Sequence, residues 1–163
     1  MDLAAICRTL QYSDIGTTIR ESTWTFPIIE TTHVIALSIS VGLILVTDLR
    51  LIGAILRKRP FSEVWAQLKP WFTAGFIIMF LSGIFLFWSQ ALKAYESFFF
   101  RTKIVLLILA GINALVFEYS SRPSLAEWDT AAVPPPQARL AGWLSIILWA
   151  GIIAAGRTMA YTF

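Results

Sequence analysis

The sequence predicts an all-α fold, an integral membrane four-helix bundle preceded by an N-terminal interfacial amphipathic helix. Of the 163 residues, 57% are hydrophobic and only 14% are charged, so the chain has too little polar surface to cover a soluble domain. Four apolar stretches are each long enough to cross a hydrocarbon layer of about 30 Å as a helix. These predicted spans are residues 26–56, 71–92, 100–117 and 140–161.

The connections between the predicted spans are short and polar. The connection at 57–70 opens with an Arg-Lys-Arg run, and the one at 120–139 contains three consecutive prolines at 134–136. Proline lacks the backbone N–H that a helix interior requires, so the triple proline predicts an extended strap outside the membrane. The first span is longer than a bilayer requires, so we expect it to tilt or to project into the cytoplasm.

Residues 1–25 form an interfacial segment ahead of the transmembrane domain at 26–163. Ser13 is a typical N-cap, and the residues after it predict a short amphipathic helix at the membrane interface. Trp24 follows as an interface anchor. The basic run at 57–59 is the densest in the chain, so the positive-inside rule places that loop in the cytoplasm and both termini on the periplasmic side.

Composition also limits the classes of function and of partner. The formal net charge is +3, and the basic residues lie at the ends of apolar runs, which argues against a nucleic-acid partner. The single cysteine, Cys7, excludes an intramolecular disulfide, and the single histidine, His33, excludes a multi-histidine zinc site. Small residues such as Ser38 and Gly42 favour close helix packing, either within a compact bundle or in a homo-oligomer. The predicted partners are the lipid bilayer and a homo-oligomer or a larger membrane complex.

Ionisable residues inside the spans predict a first polar site. A charged group within a membrane is costly, so each such residue needs a partner or a task. Glu30 and His33 are three residues apart and therefore share one face of the first span. Antiparallel threading brings Lys103, near the start of the third span, and Arg157, near the end of the fourth, to the same depth. The sequence therefore predicts an outer-side polar pocket built from these four residues.

A second polar set lies toward the other end of the spans. Asp48 and Arg50 lie close to the membrane interface, where long side chains reach water easily, so their predicted role is structural. Asn113 is interpreted in the same way, as a hydrogen-bonding contact between helices. This structural interpretation also remains open for Glu30 and Arg157, because an ion pair that only holds the bundle together explains both residues equally well.

Four pieces of the sequence carry a family resemblance. They are WTFPIIETTHV at 24–34, VTDLRLIG at 46–53, FRTK at 100–103 with Asn113, and AGRTMAY at 155–161. Together they resemble a family of short bacterial inner-membrane proteins of unknown function, and the resemblance covers nearly the whole chain. More distantly, the chain resembles CopD-like copper-resistance proteins and HemJ-type protoporphyrinogen oxidases. This resemblance depends on three features: the first-span histidine, the arginine at the inner end of that span, and the aromatic-x-x-Lys opening of the third span.

The HemJ-type resemblance implies a haem b cofactor. It makes His33 an axial ligand of the iron and gives Lys103 an important role. In such a site Glu30 would orient the imidazole, and Lys103 and Arg157 would pair with the haem propionates. The chain lacks the additional histidines of these relatives, so a haem with two histidine ligands would form only between subunits. A hydrogen-bonded structural role is the alternative for His33.

Three functional hypotheses follow. The first is a small inner-membrane protein that binds haem b, or a related redox or anionic ligand, in its outer-side pocket for electron transfer. The second is a non-catalytic accessory subunit of a larger membrane complex, in which the same charges hold the bundle together. The third is a proton-coupled transporter using Glu30 and Asp48, although the inverted repeats and broken helices of transporters are not evident. No residue is assigned a catalytic role.

Overall fold

The computed structural model describes residues 2–161, and helices provide all the regular secondary structure in that range. The long ones are α3 (Thr25–Leu51), α4 (Phe61–Ser89), α6 (Phe98–Ser120) and α8 (Pro136–Met159). Each is long and apolar enough to cross a membrane. The predicted all-α class with four spans is therefore confirmed. The shorter helices are α1 (Leu3–Gln11), α2 (Asp14–Glu21), α5 (Ala91–Glu96) and α7 (Leu125–Trp128).

The first two long helices have different limits from the apolar stretches that predict them. α3 ends at Leu51 instead of near residue 56, because Gly53 adopts a left-handed backbone conformation (φ 76°) that stops the helix. α4 begins at Phe61 instead of near residue 71 and continues through Pro70. Hydropathy marks only the apolar part of a helix, and a proline within a membrane helix is tolerated.

The last long helix begins within the triple proline. Pro135 is extended (φ −62°, ψ 155°) and Pro136 is the first residue of α8. Proline suits this position because the N–H of a first helical residue has no partner in the helix. The extended strap therefore ends one proline earlier than the sequence suggests, and α8 starts ahead of the expected residue 140.

The N-terminal segment folds as a hairpin of two helices. Ser13 caps α2 as predicted, with its Oγ accepting a hydrogen bond from the Gly16 amide (3.3 Å), but α1 was not predicted. A Cβ at Gly16 would lie 2.7 Å from the Gln11 carbonyl oxygen, so the hairpin turn requires glycine there. Trp88 Nε1 donates to Ser13 Oγ (3.0 Å), and the Leu92 amide donates to Gln11 Oε1 (2.9 Å). The hairpin is thereby attached to the end of α4 and to α5.

The long helices pack through small residues and a buried apolar cluster. α3 is central, because it packs against both α4 and α8, and α6 packs against α8. A Cβ at Gly75 would lie 2.6 Å from Ser40 Oγ, and one at Gly142 would lie 3.1 Å from the Asp48 carbonyl oxygen, so glycine permits both helix contacts. The buried cluster between α3, α4 and α8 consists of Ala36, Met79, Trp149 and Ile152.

Antiparallel threading gives the bundle two different ends. We call the end that carries α1, α2 and α5 the N-terminal end; α3 and α6 begin there. The opposite, basic-loop end carries residues 52–60, with the Arg-Lys-Arg run at 57–59, and α7. A second buried cluster attaches α7 to the spans at this end, formed by Leu51, Phe61, Trp128 and Ala138.

Candidate functional site

His33 lies on α3 toward the N-terminal end, and its half-buried ring faces α4. Nδ1 is 3.0 Å from Ser82 Oγ, and the Met79 carbonyl also faces the ring. Ser82 Oγ is 2.6 Å from the Ile78 carbonyl oxygen, to which it donates its one proton. The groups around Nδ1 therefore offer lone pairs and no proton, so we assign the ring proton to Nδ1, which donates to Ser82.

This tautomer leaves Nε2 of His33 with a free lone pair. Nε2 makes no hydrogen bond within residues 2–161. A neutral imidazole with one nitrogen held by a hydrogen bond and the other free is the form that binds a metal ion or accepts a proton. Gly83 permits this position of the ring, because a Cβ there would lie only 3.2 Å from His33 Cε1.

Lys103 of α6 supplies a positive charge to the same region. Its side chain is half-buried, and Nζ would lie 3.7 Å from a Cβ at Gly156 of α8. The charge of Lys103 acts on His33. No carboxylate pairs with Lys103 in the described part of the chain. A partly buried cation without a counter-ion favours a ligand with an anionic group.

Glu30 and Arg157 do not join this pair, in contrast to the four-residue pocket expected from the sequence. Glu30 is exposed and makes no hydrogen bond or ion pair within residues 2–161. Arg157 is also exposed, donates to the Tyr161 hydroxyl (2.8 Å) and lies over its ring (5.0 Å from Cζ to the centroid). Residues at one depth can leave their helices in different directions, and Ser82 takes the contact with His33 that was assigned to Glu30.

Arg50 lies at the basic-loop end and is completely buried. Nε donates to the Arg59 carbonyl (3.0 Å), and Nη2 donates to the carbonyls of Asp129 and Ala131 (both 3.2 Å). These carbonyls belong to the connection before α4 and to the one after α7. One side chain therefore joins two loops to α3, and Arg50 acts on the backbone without contacting a carboxylate.

Asp48 and Asn113 lie inside the bundle near the same end. Asn113 Nδ2 donates to the Ala141 carbonyl (2.9 Å), which links α6 to α8. Asp48 is 5% exposed, and Ser145 of α8 interacts with its carboxyl group. Asp48 Oδ2 nevertheless has no hydrogen-bond partner among the described residues. A buried acceptor in this state is costly unless a ligand or solvent satisfies it.

A cavity of about 640 Å³ lies beside Asp48, between α4 and α6. Most of its lining is apolar or aromatic, and Asp48, Asn113 and Ser145 are among its polar residues. None of the four residues predicted for the outer-side pocket lines it. The bundle therefore contains two separate polar regions, the His33 site toward one end and this cavity toward the other.

Sequence reasoning misses the cavity because hydropathy carries no information about the distance between two helices. The signal in the sequence is indirect: α4 is rich in Phe, and small residues of α6, among them Ala110, Gly111 and Ala114, line the cavity opposite it. The large side chains of α4 and the small ones of α6 enclose a cavity only because the two helices do not pack closely against each other. The spacing of two helices is a property of the tertiary structure.

The ligating side chains limit the kind of metal site that the chain can form. Within residues 2–161 there is no group of three or more His, Cys, Asp or Glu that could hold a metal ion. A prosthetic group such as haem needs fewer protein ligands, because the porphyrin provides the equatorial ones. The free Nε2 of His33 and the positive charge of Lys103 fit such a group.

Comparison with known proteins gives a match to a family model. The model matches residues 6–162, which is nearly the whole chain. No curated protein and no solved structure matches the chain. The matched range contains the His33 site and all residues that line the cavity.

Proposed function

Since the chain belongs to a family of unknown function (DUF6644), we propose its function from its own site, as a membrane protein that binds haem b, or a related redox or anionic ligand, for electron transfer. The observation that carries the proposal is the hydrogen bond between His33 Nδ1 and Ser82 Oγ (3.0 Å), which leaves Nε2 free. A hydrogen bond on one imidazole nitrogen orients the ring and makes the other nitrogen a better ligand.

Each residue of the site has a distinct part in this proposal. His33 would hold the iron, and Lys103, which has no carboxylate partner among the described residues, would pair with a propionate. Arg157 is a second cation that would pair with a propionate. To do so, its guanidinium would give up its hydrogen bond to the Tyr161 hydroxyl. The bound haem would supply one-electron chemistry through its ferric and ferrous states. Ser82 takes the orienting role that Glu30 was expected to have.

The proposal also draws on the distant resemblance to CopD-like and HemJ-type membrane proteins that the sequence suggests. That resemblance depends on His33 in the first span and on Lys103 near the start of the third. The chain has a single histidine, so the proposal includes haem binding and electron transfer but not protoporphyrinogen oxidation.

The test is a visible absorption spectrum of the purified protein, oxidised and then reduced with dithionite, after expression with ample haem. We expect a Soret band that sharpens on reduction and disappears in His33→Ala. Ser82→Ala is expected to weaken haem binding by roughly 10- to 100-fold, as for other residues that orient a ligating histidine. Lys103→Met should weaken haem retention, and Lys93→Met, at an exposed position of α5, should not. A colourless wild-type protein would overturn the proposal.

A second candidate function rests on the exposure of α6. None of its span is buried, whereas 22–33% of each other span is. A non-catalytic accessory subunit, or a homo-oligomer, would cover this apolar face with partner helices. Native mass spectrometry from membranes separates the two functions, because an accessory subunit without haem would be found colourless and in a defined complex. A colourless monomer would contradict both.

The proposal also includes a location. Four candidate spans make the chain a multi-pass membrane protein, and we place it in the bacterial inner membrane with the basic-loop end in the cytoplasm. The support is the basic run at 57–59, because positively charged loops are retained on the cytoplasmic side. Both termini, and the His33 site, would then lie toward the periplasm.

A further inference from the structure

The cavity lies where the bundle is open between α4 and α6. α4 packs against α3, and α6 packs against α8. α4 and α6 contact each other through aromatic side chains near their ends. The ring centroids of Phe61 and Phe117 are 6.0 Å apart at the basic-loop end, and those of Phe87 and Phe100 are 5.4 Å apart toward the N-terminal end. The cavity begins at the first pair and extends toward the second.

The size and walls of the cavity suit a small lipophilic molecule. Its volume of about 640 Å³ falls within the roughly 300–1,000 Å³ typical of small-molecule sites. Trp65, Phe72, Phe76 and Trp149 line it, and aromatic side chains favour contact with a flat ring. The cavity lies along two candidate spans, and Phe76 in its wall is exposed, so the ligand would enter from the bilayer.

The polar groups of the lining give the ligand a chemical requirement. Asp48 is 5% exposed, and its Oδ2 has no partner among residues 2–161. The neighbouring Thr47 hydroxyl donates to the Leu43 carbonyl (3.0 Å), and Asn113 donates its amide to Ala141 (2.9 Å). The buried side-chain atom of the wall that lacks a partner among the described residues is therefore an acceptor, and a ligand that satisfies it must bring a hydrogen-bond donor.

The charges around the cavity favour a neutral donor over a cationic one. Lys69 lines the cavity and has no ion-pair partner among the described residues. Glu118 also lines it, but its charge is matched by Arg122. The basic run at 57–59 lies at the same end of the bundle. An ammonium head would be attracted by Asp48 but repelled by Lys69 and by the basic run, whereas a hydroxyl can donate to Asp48 without that repulsion.

We propose that this cavity binds a lipid-soluble ring compound that carries a hydroxyl group. The hydroxyl donates to Asp48 Oδ2, and the ring lies against the aromatic side chains of α4 and α8. The site is separate from His33, and the proposal does not depend on haem binding.

The test measures equilibrium binding of a short-chain alkyl hydroquinone to the full chain in lipid nanodiscs, with empty nanodiscs as the background. The comparison probe is the dimethyl ether of the same compound, which keeps the ring and chain but has no donor. We expect saturable binding of the hydroquinone and roughly tenfold weaker binding of the ether, the loss that corresponds to one hydrogen bond. Absent saturation, equal binding of the two probes, or tighter binding of a primary alkylamine would overturn the proposal.

Two glycine substitutions locate the bound probe. A Cβ at Gly111 or at Gly42 meets no atom within 4 Å, but Gly111 lines the cavity and Gly42 does not. Gly111→Phe is therefore expected to abolish hydroquinone binding, and Gly42→Phe is expected to leave it at the wild-type level. Wild-type binding by Gly111→Phe would place the probe elsewhere and overturn the proposal.

Two further variants identify the polar contact. Asp48→Leu removes the carboxyl group, whose Oδ2 has no partner among the described residues, and replaces it with an apolar side chain. It should bind the hydroquinone and its ether equally, and a preserved tenfold difference would contradict the contact with Asp48. His33→Ala should bind the hydroquinone like the wild type, because His33 is not part of the cavity. The haem proposal can therefore fail in the absorption spectrum while hydroquinone binding is retained, and the reverse is also possible.

Discussion

Arg50 and His33 are both polar side chains within a candidate span, but the surrounding protein uses them differently. Arg50 donates to three backbone carbonyls, and although its Nη1 has no partner among the described residues, the whole side chain is inaccessible to a ligand. His33 uses one nitrogen on Ser82 and keeps the other free. A polar group whose hydrogen bonds end inside the protein stabilises the fold, whereas a free atom in a cavity or cleft indicates ligand binding.

The first residue-scale prediction is that Arg50→Ala destabilises the protein by about 2 kcal/mol or more. The carbonyls of Arg59 and Ala131 would lose their donor, and each unsatisfied group costs about 1 kcal/mol or more, whereas the Asp129 carbonyl would keep a backbone amide donor (3.0 Å). The measurement is the free energy of unfolding in mixed detergent micelles. Arg139→Ala, at an exposed position of α8 near the same end, is the control and should be close to neutral. Equal stability of the two variants would contradict the role given to Arg50.

The second residue-scale prediction concerns the space beside the imidazole. Gly83→Ala places a Cβ 3.2 Å from His33 Cε1, so the ring must move and haem affinity should fall by about tenfold or more. Gly156→Ala is the matched control, because its Cβ would be 3.7 Å from Lys103 Nζ, an ordinary contact. Soret titration with haem measures both. Unchanged affinity in Gly83→Ala would count against His33 as the ligand.

Helix contacts in this bundle depend on individual glycines, and not every glycine contributes. Gly75 and Gly142 lie where α3 meets α4 and α8, whereas Gly42 faces outward from α3. Van der Waals packing is the main attraction between helices in lipid, so a small residue at a contact has more influence than one on a lipid-facing surface.

The element-scale prediction compares two such glycines. In Gly142→Ala the new Cβ would lie 3.0 Å from Ile52 Cγ2 and 3.1 Å from the Asp48 carbonyl oxygen. Overpacking of this kind costs about 1–3 kcal/mol. Gly42→Ala has open space and should be neutral or stabilise α3 by up to about 1 kcal/mol through helix propensity. Unfolding in mixed micelles measures both, and a neutral Gly142→Ala would show that α3 and α8 pack less closely than described.

At the scale of the whole molecule, the two ends of the bundle differ in charge and in the kind of site near them. The basic run at 57–59 and the cavity lie toward one end, and the His33 site and the α1–α2 hairpin lie toward the other. The proposed orientation therefore gives the two sites access from different sides of the membrane, and it can be measured directly.

The prediction for orientation uses single cysteines in a Cys7→Ser background, since Cys7 is the one natural cysteine. In intact cells, a membrane-impermeant maleimide should label Glu96→Cys in α5 and leave Lys58→Cys unlabelled. Both positions are exposed, so permeabilised cells should show labelling of each. The reverse pattern in intact cells would invert the proposed topology.

Local properties of the sequence were sufficient for the class of fold. The lengths of four apolar stretches predicted four spans, and the side-chain chemistry of Ser13 predicted the start of α2. Both depend on residues adjacent in the chain. Helix limits were less well predicted, as at Leu51 and Phe61, because the hydrogen-bonded backbone does not end where hydropathy changes.

The tertiary structure alone decided which polar side chains meet. Threading predicts one depth for Glu30, His33, Lys103 and Arg157. In the structure Lys103 is close enough for its charge to act on His33, whereas Glu30 and Arg157 are exposed. Neither the contact of His33 with Ser82 nor the cavity beside Asp48 follows from the sequence pattern. The physical reason is the solvent: a helix in lipid is apolar on its packed and its lipid-facing sides alike, so the sequence has no polar stripe that reveals its rotation.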